Sequence, residues 1–197
     1  APDHRALADL ATAVNPPKPQ AIVGVAAVGQ AFSKPIVEAM ASFNERPIVF
    51  ALSNPTSKSE CTAQEAYTWS AGRAIFACGS PFPAFTLNGR TFVPRQGNNS
   101  YIFPGVGLGA VAVKTRRVTN EMFLAAAETL VAMVSEADLA QGSIYPPLAE
   151  MRAVSAAIAE AVAKVAFERG LASVGKPADI GAYVREQMYE PTYPNYA

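Results

Sequence analysis

The chain has 197 residues, half of them hydrophobic, with 16 basic against 16 acidic side chains and a formal net charge of zero. That is enough apolar surface for a sizeable core in one domain, or one domain with an appendage. Without a basic stripe or an aromatic-interleaved cationic run it offers no nucleic-acid surface, and no window nears the ~18 uninterrupted apolar residues of a membrane span.

The two cysteines, Cys61 and Cys78, fit a reducing compartment better than a disulfide framework. One histidine and no Cys-x-x-Cys pair argue against a zinc site built from this chain alone. The chain opens APDHRALADLATAVN, without Met and without a signal or transit pattern. We expect a segment of a longer chain that starts just before a short helix, with His4 on its surface. No G-x-G-x-x-G fingerprint and no Walker A loop occurs.

The first third alternates strand and helix. QAIVGVA (20–26) predicts a strand buried on both faces, followed by a tight turn from Gly24 to Gly29. Ser33 is placed to cap the next helix, with Pro35 in its first turn and Ile36, Val37, Met40 and Phe43 on its inner face. Asn44 to Pro47 stops it, and PIVFALS (47–53) predicts the next buried strand. A strand, crossover helix and strand of these lengths make a βαβ unit and hence a parallel sheet. Pro55 disfavours helical geometry at Asn54, so the Asn54 amide is expected at the carboxyl edge of the sheet, where open α/β sheets bind ligands. Thr62 and Glu65 form a capping box that opens a helix over AQEAYTWSA, and Gly72 ends it. RAIFACGS (73–80) predicts a third strand. Three successive strand ends carry small or amide residues: Gly24 to Gly29, Ser53 to Pro55, and Gly79 to Pro81.

Asn88-Gly89 between alternating residues predicts a two-residue hairpin turn. The second half reads as helical. YIFPGVGLGAVAVKTRR (101–117) is apolar and glycine-studded and is expected to pack closely under the cleft. Thr119 caps the next helix, Ser135 to Asp138 opens a short one, and 148–170 forms a long helix with Val154, Ile158, Ala161, Val162 and Val165 in one stripe and Gly170 as its stop. After a short helical piece, the Tyr/Pro-rich end of the tail is expected to lie extended on a neighbouring surface.

Two asparagine-bearing turns carry the chemistry. ALSNPTSKSECT (51–62) and QGNNSYIFPGVGLG (96–109) each present uncharged amides where a loop should face a cleft. One amide donates to a carboxylate and accepts from a hydroxyl, without a charge that would disturb hydride chemistry. Asn54, Asn98 and Asn99 have a plain alternative as turn or cap residues. Glu60 and Glu65 read as helix-start charges, and Tyr67 and Trp69 as core. Arg95, Lys114, Arg116 and Arg117 read as a solvated basic face, with contact to a phosphate or carboxylate as the alternative. No Asp/Glu cluster stands at a strand end to hold a cation or act as a tuned base. These residues alone could position a substrate but not transform it.

At GVAAVGQAF, MASFNERPIVFALSNPTSKSECTAQEAYTW, GRAIFACGSPF, QGNNSYIFPGVGLGAV and IYPPLAEMRAVSAAIAEAVA the chain resembles the malic enzymes, over roughly residues 15 to 172. The ending MYEPTYPNYA is similar to that of plant-type NADP malic enzymes. The resemblance implies oxidative decarboxylation of malate to pyruvate and carbon dioxide, with NAD or NADP as hydride acceptor and Mg2+ or Mn2+ as metal. It implies a partial Rossmann-like parallel sheet flanked by helices with a helical C-terminal half, residues 1–172 being the C-terminal portion of the NAD(P)-binding domain and 173–197 a tail. By the same resemblance Asn54 contacts malate beside the nicotinamide, and Asn98 or Asn99 completes the malate pocket. Gly24, Val25, Ala26, Gly29, Ser53 and Asn54 would lie along the cofactor. Relatives often carry Ser or Gly where this turn has Ala26 and Ala27, and Arg95 stands where a glycine is common. The family's catalytic tyrosine and lysine, its three acidic metal ligands and its first glycine loop would lie upstream of Ala1. A homo-oligomer, dimer or tetramer, in the cytosol, plastid or mitochondrial matrix is the family expectation. A non-catalytic Rossmann-like dinucleotide-binding module is the alternative of another class. Within the enzymes, a fusion with an acyltransferase domain also fits, whereas the paired turns argue against an amino-acid dehydrogenase.

Overall fold

A computed structural model describes residues 10–15 and 17–190. His4 and the last seven residues of the Tyr/Pro-rich tail therefore lie outside the described residues. The chain divides into two compact units: the described residues up to Asn98 together with Ser135–Tyr145, and Asn99–Val134 together with the described residues from Pro146 onward.

The first unit begins with the short helix α1 (Leu10–Val14) and is built on a parallel sheet in the order β1 (Ala21–Gly24), β2 (Ile48–Ala51), β3 (Ile75–Cys78). Ala21 stands opposite Ile48 and Ile48 opposite Ile75, so the three strands begin and end in step. Helix α2 (Lys34–Phe43) crosses from β1 to β2 and buries Ile36, Val37, Met40 and Ala41. Ser33 stands at its N-cap without a side-chain cap bond, and Pro35 occupies the first turn. Asn44 closes the helix, its amide donating to Met40 O and Pro19 O. Helix α3 (Ala63–Trp69) connects β2 to β3 and starts with the expected capping box: Glu65 N–H donates to Thr62 Oγ1 while Thr62 N–H donates to the Glu65 carboxylate. Tyr67 is fully buried between Phe76 and Phe92, and Trp69 packs on the edge of the same core. Asn88 and Gly89, both at positive φ, join β4 (Phe85–Leu87) to β5 (Arg90–Phe92), as a type I′ turn requires.

One strand differs from its sequence reading. β1 alternates instead of being buried on both faces: Ile22 is in the core but Val23 is 56% exposed. β1 is the edge of the three-stranded sheet, and an apolar run cannot tell a half-covered edge strand from a central one.

The second unit is helical. α4 (Phe103–Ala112) and α5 (Asn120–Ala132) both pack on α7 (Met151–Glu168), which also carries α8 (Ile180–Glu186). The short α6 (Glu136–Ala140), counted in chain order between α5 and α7, belongs to the first unit. The partner of α4 is thus α7. A Cβ at Gly105 would come 2.7 Å from Ile158 Cβ, and one at Gly109 2.5 Å from Ala159 O. Gly105 and Gly109 on α4, set against Ser155, Ile158, Ala159 and Val162 on α7, let the two backbones approach. The buried stripe of α7 accordingly runs through Val154, Ile158, Ala159, Val162, Ala163 and Ala166, while Ala161 and Val165 are only partly covered. Gly170, at φ 62°, ends the helix.

Candidate functional site

Because β1, β2 and β3 are parallel and end together, their carboxyl ends form one edge. In the turn after β1 Gly24 is buried, while Val25 to Gly29 are exposed there, Val25 by 73%. The turn after β2 carries Ser53, which is buried, and Asn54, which is exposed and joined to Pro55 by a cis peptide. The Asn54 side chain makes no hydrogen bond among the described residues, so no bond supports the plain capping role.

A buried carboxylate ties the two turns. Glu60 is 1% exposed. Its Oε2 accepts from Ser53 N–H at 3.3 Å, and its Oε1 accepts from the Ser53 hydroxyl. Ser53 Oγ in turn accepts from Ala27 N–H at 2.9 Å. Beside this chain, Gln30 N–H donates to Ser59 O at 3.0 Å and Phe32 N–H to Glu60 O at 2.9 Å. Gly24 allows the approach, since a Cβ there would run into the Glu60 side chain. Glu60 is therefore not a helix-start charge. The sequence places it two residues ahead of the helix cap, but the loop turns its carboxylate inward under the strand ends. Glu65, by contrast, is the helix-start group expected of it. The only signal for Glu60 was an acid in a run of small residues, which does not report direction.

The second asparagine turn is anchored to the same edge. Gln96 forms a parallel bridge with Cys78 at the end of β3, its amide donates to Gly79 O at 2.9 Å, and Gly97 N–H donates to Cys78 O at 2.9 Å. A Cβ on Gly97 would sit 3.1 Å from Leu52 Cδ2. The chain thus arrives at Asn98 along the ends of β3 and β2, on the side where Leu52 leads into Ser53 and Asn54. Asn98 and Asn99 are both exposed, and Asn99 begins a short 3-10 turn, Asn99–Tyr101.

Arg95 does not join a solvated basic face. Its guanidinium lies 2.6 Å from the Asp138 carboxylate and also donates to Tyr145 O. Asp138 accepts from the Ser135 hydroxyl at 2.6 Å and from Ser135 N–H at 3.1 Å. The Ser135 hydroxyl first, with Arg95 beside it, holds the Asp138 carboxyl below the usual range. Arg116 is spent on Gly170 O at 2.7 Å. Both cysteines are buried: burial, with Glu65 and Glu60 nearby, pushes the Cys61 thiol up to about 12, and burial does the same to Cys78. Among the described residues no group of three His, Cys, Asp or Glu side chains is placed to hold a metal ion, and no helix is long and apolar enough to cross a membrane.

A parallel sheet flanked by helices, with the turns that leave its strands gathered at one carboxyl edge, is a Rossmann-like α/β arrangement. Residues 2–167 match the family model "Malic enzyme, NAD binding domain", and the chain belongs to that family. It is 51% identical over 195 residues to the chloroplastic NADP-dependent malic enzyme of Zea mays, and 51% identical to the NADP-dependent malic enzyme of Vitis vinifera, covering 98% of this chain in each case. The malic enzyme structure from Pyrococcus horikoshii superposes with a TM-score of 0.67 at 28% identity, covering 89% of this chain and 35% of that one. The Entamoeba histolytica malic enzyme gives 0.61 at 27% identity, covering 83% and 29%. The chain spans about a third of the length of the curated relatives it matches, 31% and 33% for the two plant enzymes.

Proposed function

We propose that this chain supplies the nicotinamide-side part of an NAD(P)-dependent malic enzyme, in which malate is oxidised and decarboxylated to pyruvate and carbon dioxide. Residues 1–172 are read as the NAD(P)-binding portion and 173–197 as its tail. The observation that carries the reading is the anchoring of the Gln96–Gly97 segment on Cys78, Gly79 and Leu52, which leads the second amide turn to the strand ends that carry Asn54.

In this reading the Asn54 amide donates an N–H to a malate carboxylate and its carbonyl accepts from the malate hydroxyl. Asn98 or Asn99 fixes the other end of the substrate. The Gly24 to Gly29 turn, exposed from Val25 and Ala26 onward, lets backbone approach the cofactor. Ser53 acts through position: its hydroxyl is committed to Glu60 and Ala27, and so holds the β2 turn against the β1 turn. The bound dinucleotide accepts the hydride. The protein's share is to hold the carbinol carbon within about 3–3.5 Å of the acceptor, a positioning effect. The two plant relatives named above are NADP-dependent, which favours NADP over NAD. The divalent metal and the acid–base groups are assigned to residues other than these 197, and the assembly to a dimer or tetramer.

The test is Asn54→Ala in an enzyme that carries this chain. Loss of the two amide bonds should raise the malate KM by roughly tenfold or more, as for bonds to a charged ligand, with the melting temperature unchanged. Unaltered turnover at low malate removes Asn54 from the site.

A further inference from the structure

The amino-terminal end of the same sheet holds a second feature, remote from the carboxyl edge because the strands are parallel. A cavity of about 360 Å³ opens where β3 begins, walled by Arg46, Arg73 and Arg90 with Ile75, Phe92 and Leu139 between them. None of its lining residues is acidic.

The guanidinium groups are positioned by neutral partners. Arg73 donates to Asn44 O at 2.9 Å, Glu45 O at 3.2 Å and Ala41 O at 2.8 Å. Arg90 donates to Ala140 O at 3.2 Å, and its guanidinium sits 4.6 Å over the Phe92 ring. Arg46 is exposed, with no hydrogen bond or ion pair among the described residues. Carbonyls at the ends of α2 and α6 explain why Arg73 and Arg90 are ordered. A helix end supplies about half a negative charge at most, so positive charge remains in the cavity. Helix capping explains neither Arg46 nor the convergence of all three on one hollow with an apolar wall. Each guanidinium has five N–H donors. Three bonds from Arg73 and one from Arg90 leave donors on both, and Arg46 keeps its full set.

We propose that this cavity binds a small organic anion with two or three carboxylates, its oxyanions on Arg46, Arg73 and Arg90 and its carbon body against Ile75 and Phe92. The three arginines come from separate segments, after α2, before β3 and on β5. They suit anionic groups spread along a carbon skeleton better than the single centre of a phosphate, and guanidinium is the side chain that meets carboxylate in paired bonds.

The experiment titrates citrate into the full 197-residue chain at constant ionic strength, with inorganic phosphate and chloride as separate arms, and follows backbone amide NMR shifts. Saturable shifts centred on Ile75 and Phe92 are expected with citrate. Arg46→Gln should weaken them roughly ten- to a hundredfold, the loss of a charge-assisted contact. This variant keeps its fold because Arg46 bonds nothing among the described residues, and an unchanged melting curve verifies that. Four results would overturn the proposal: non-saturable shifts, an equal response to phosphate or chloride, wild-type affinity in Arg46→Gln, or shifts centred on Gly24 to Gly29 and Asn54.

Discussion

At the carboxyl ends of β1 and β2, two turns are drawn together by polar groups converging on one buried carboxylate. Along α4 and α7, two helices are drawn together by leaving side chains out. Both arrangements use glycine, at Gly24 in the first and at Gly105 and Gly109 in the second, but what fills the space differs. At the sheet edge a Glu60 side chain occupies the room, and its oxygens accept from the Ser53 N–H and hydroxyl. Between the helices, backbone and methyl groups fill it, with dispersion and apolar burial as the holding terms. A polar clamp fixes directions, because each bond has a preferred angle. A small-residue interface fixes distance. Presenting an amide to a ligand needs the first kind, and a scaffold needs only the second.

Glu60→Ala should have the largest effect on this contrast. It strips the acceptor from Ser53 N–H and Ser53 Oγ in a buried site, at a cost of about 1–3 kcal/mol for each buried donor left without a partner. Denaturant unfolding should register it, and hydrogen exchange should quicken first at the Ala27, Gln30 and Phe32 amides. Normal protection there would mean that the clamp does not hold the turns. Gly109→Ala comes next. The added methyl meets Ala159 O, so α4 and α7 must move apart, at about 1–3 kcal/mol for overpacking. A neutral result would show the helix interface to be looser than its geometry.

Asp138→Asn removes the charge that Arg95 and Ser135 face, costing about 1.5 kcal/mol at neutral pH. The sign with pH follows from a native carboxyl held below the unfolded-chain value of about 3.9. Asp138 stabilises fully above that value, and the contribution disappears as pH falls through the lower native one. Wild type and variant should therefore converge in acid melts. A difference that persists there would assign the effect to shape instead of charge. Smallest of all, Cys61 and Cys78 should resist a thiol reagent at pH 8 in the folded chain, since thiols held near 12 supply almost no thiolate. Rapid labelling of the native protein would show the edge to be more open than described.

Much of the local structure was legible in the residues. The Thr62–Glu65 box, the Asn88-Gly89 hairpin, Asn44 and Gly170 as helix stops, and the βαβ order all follow from short-range steric and hydrogen-bonding rules that act within a few positions. The burial of Glu60 was not legible, and neither were the capture of Arg95 by Asp138 nor the exposure of Val23. Each depends on which segment lies opposite.

The amino-acid order by itself determined the element types, their sequence and the two amide turns, because propensity, capping and turn chemistry are properties of neighbours along the chain. Only the tertiary structure decided which charges turn inward, which strand forms the edge, and where three arginines from distant segments meet. Those outcomes are set by packing between residues tens of positions apart, where one carboxylate faces either solvent or a buried hydroxyl according to what the fold brings beside it.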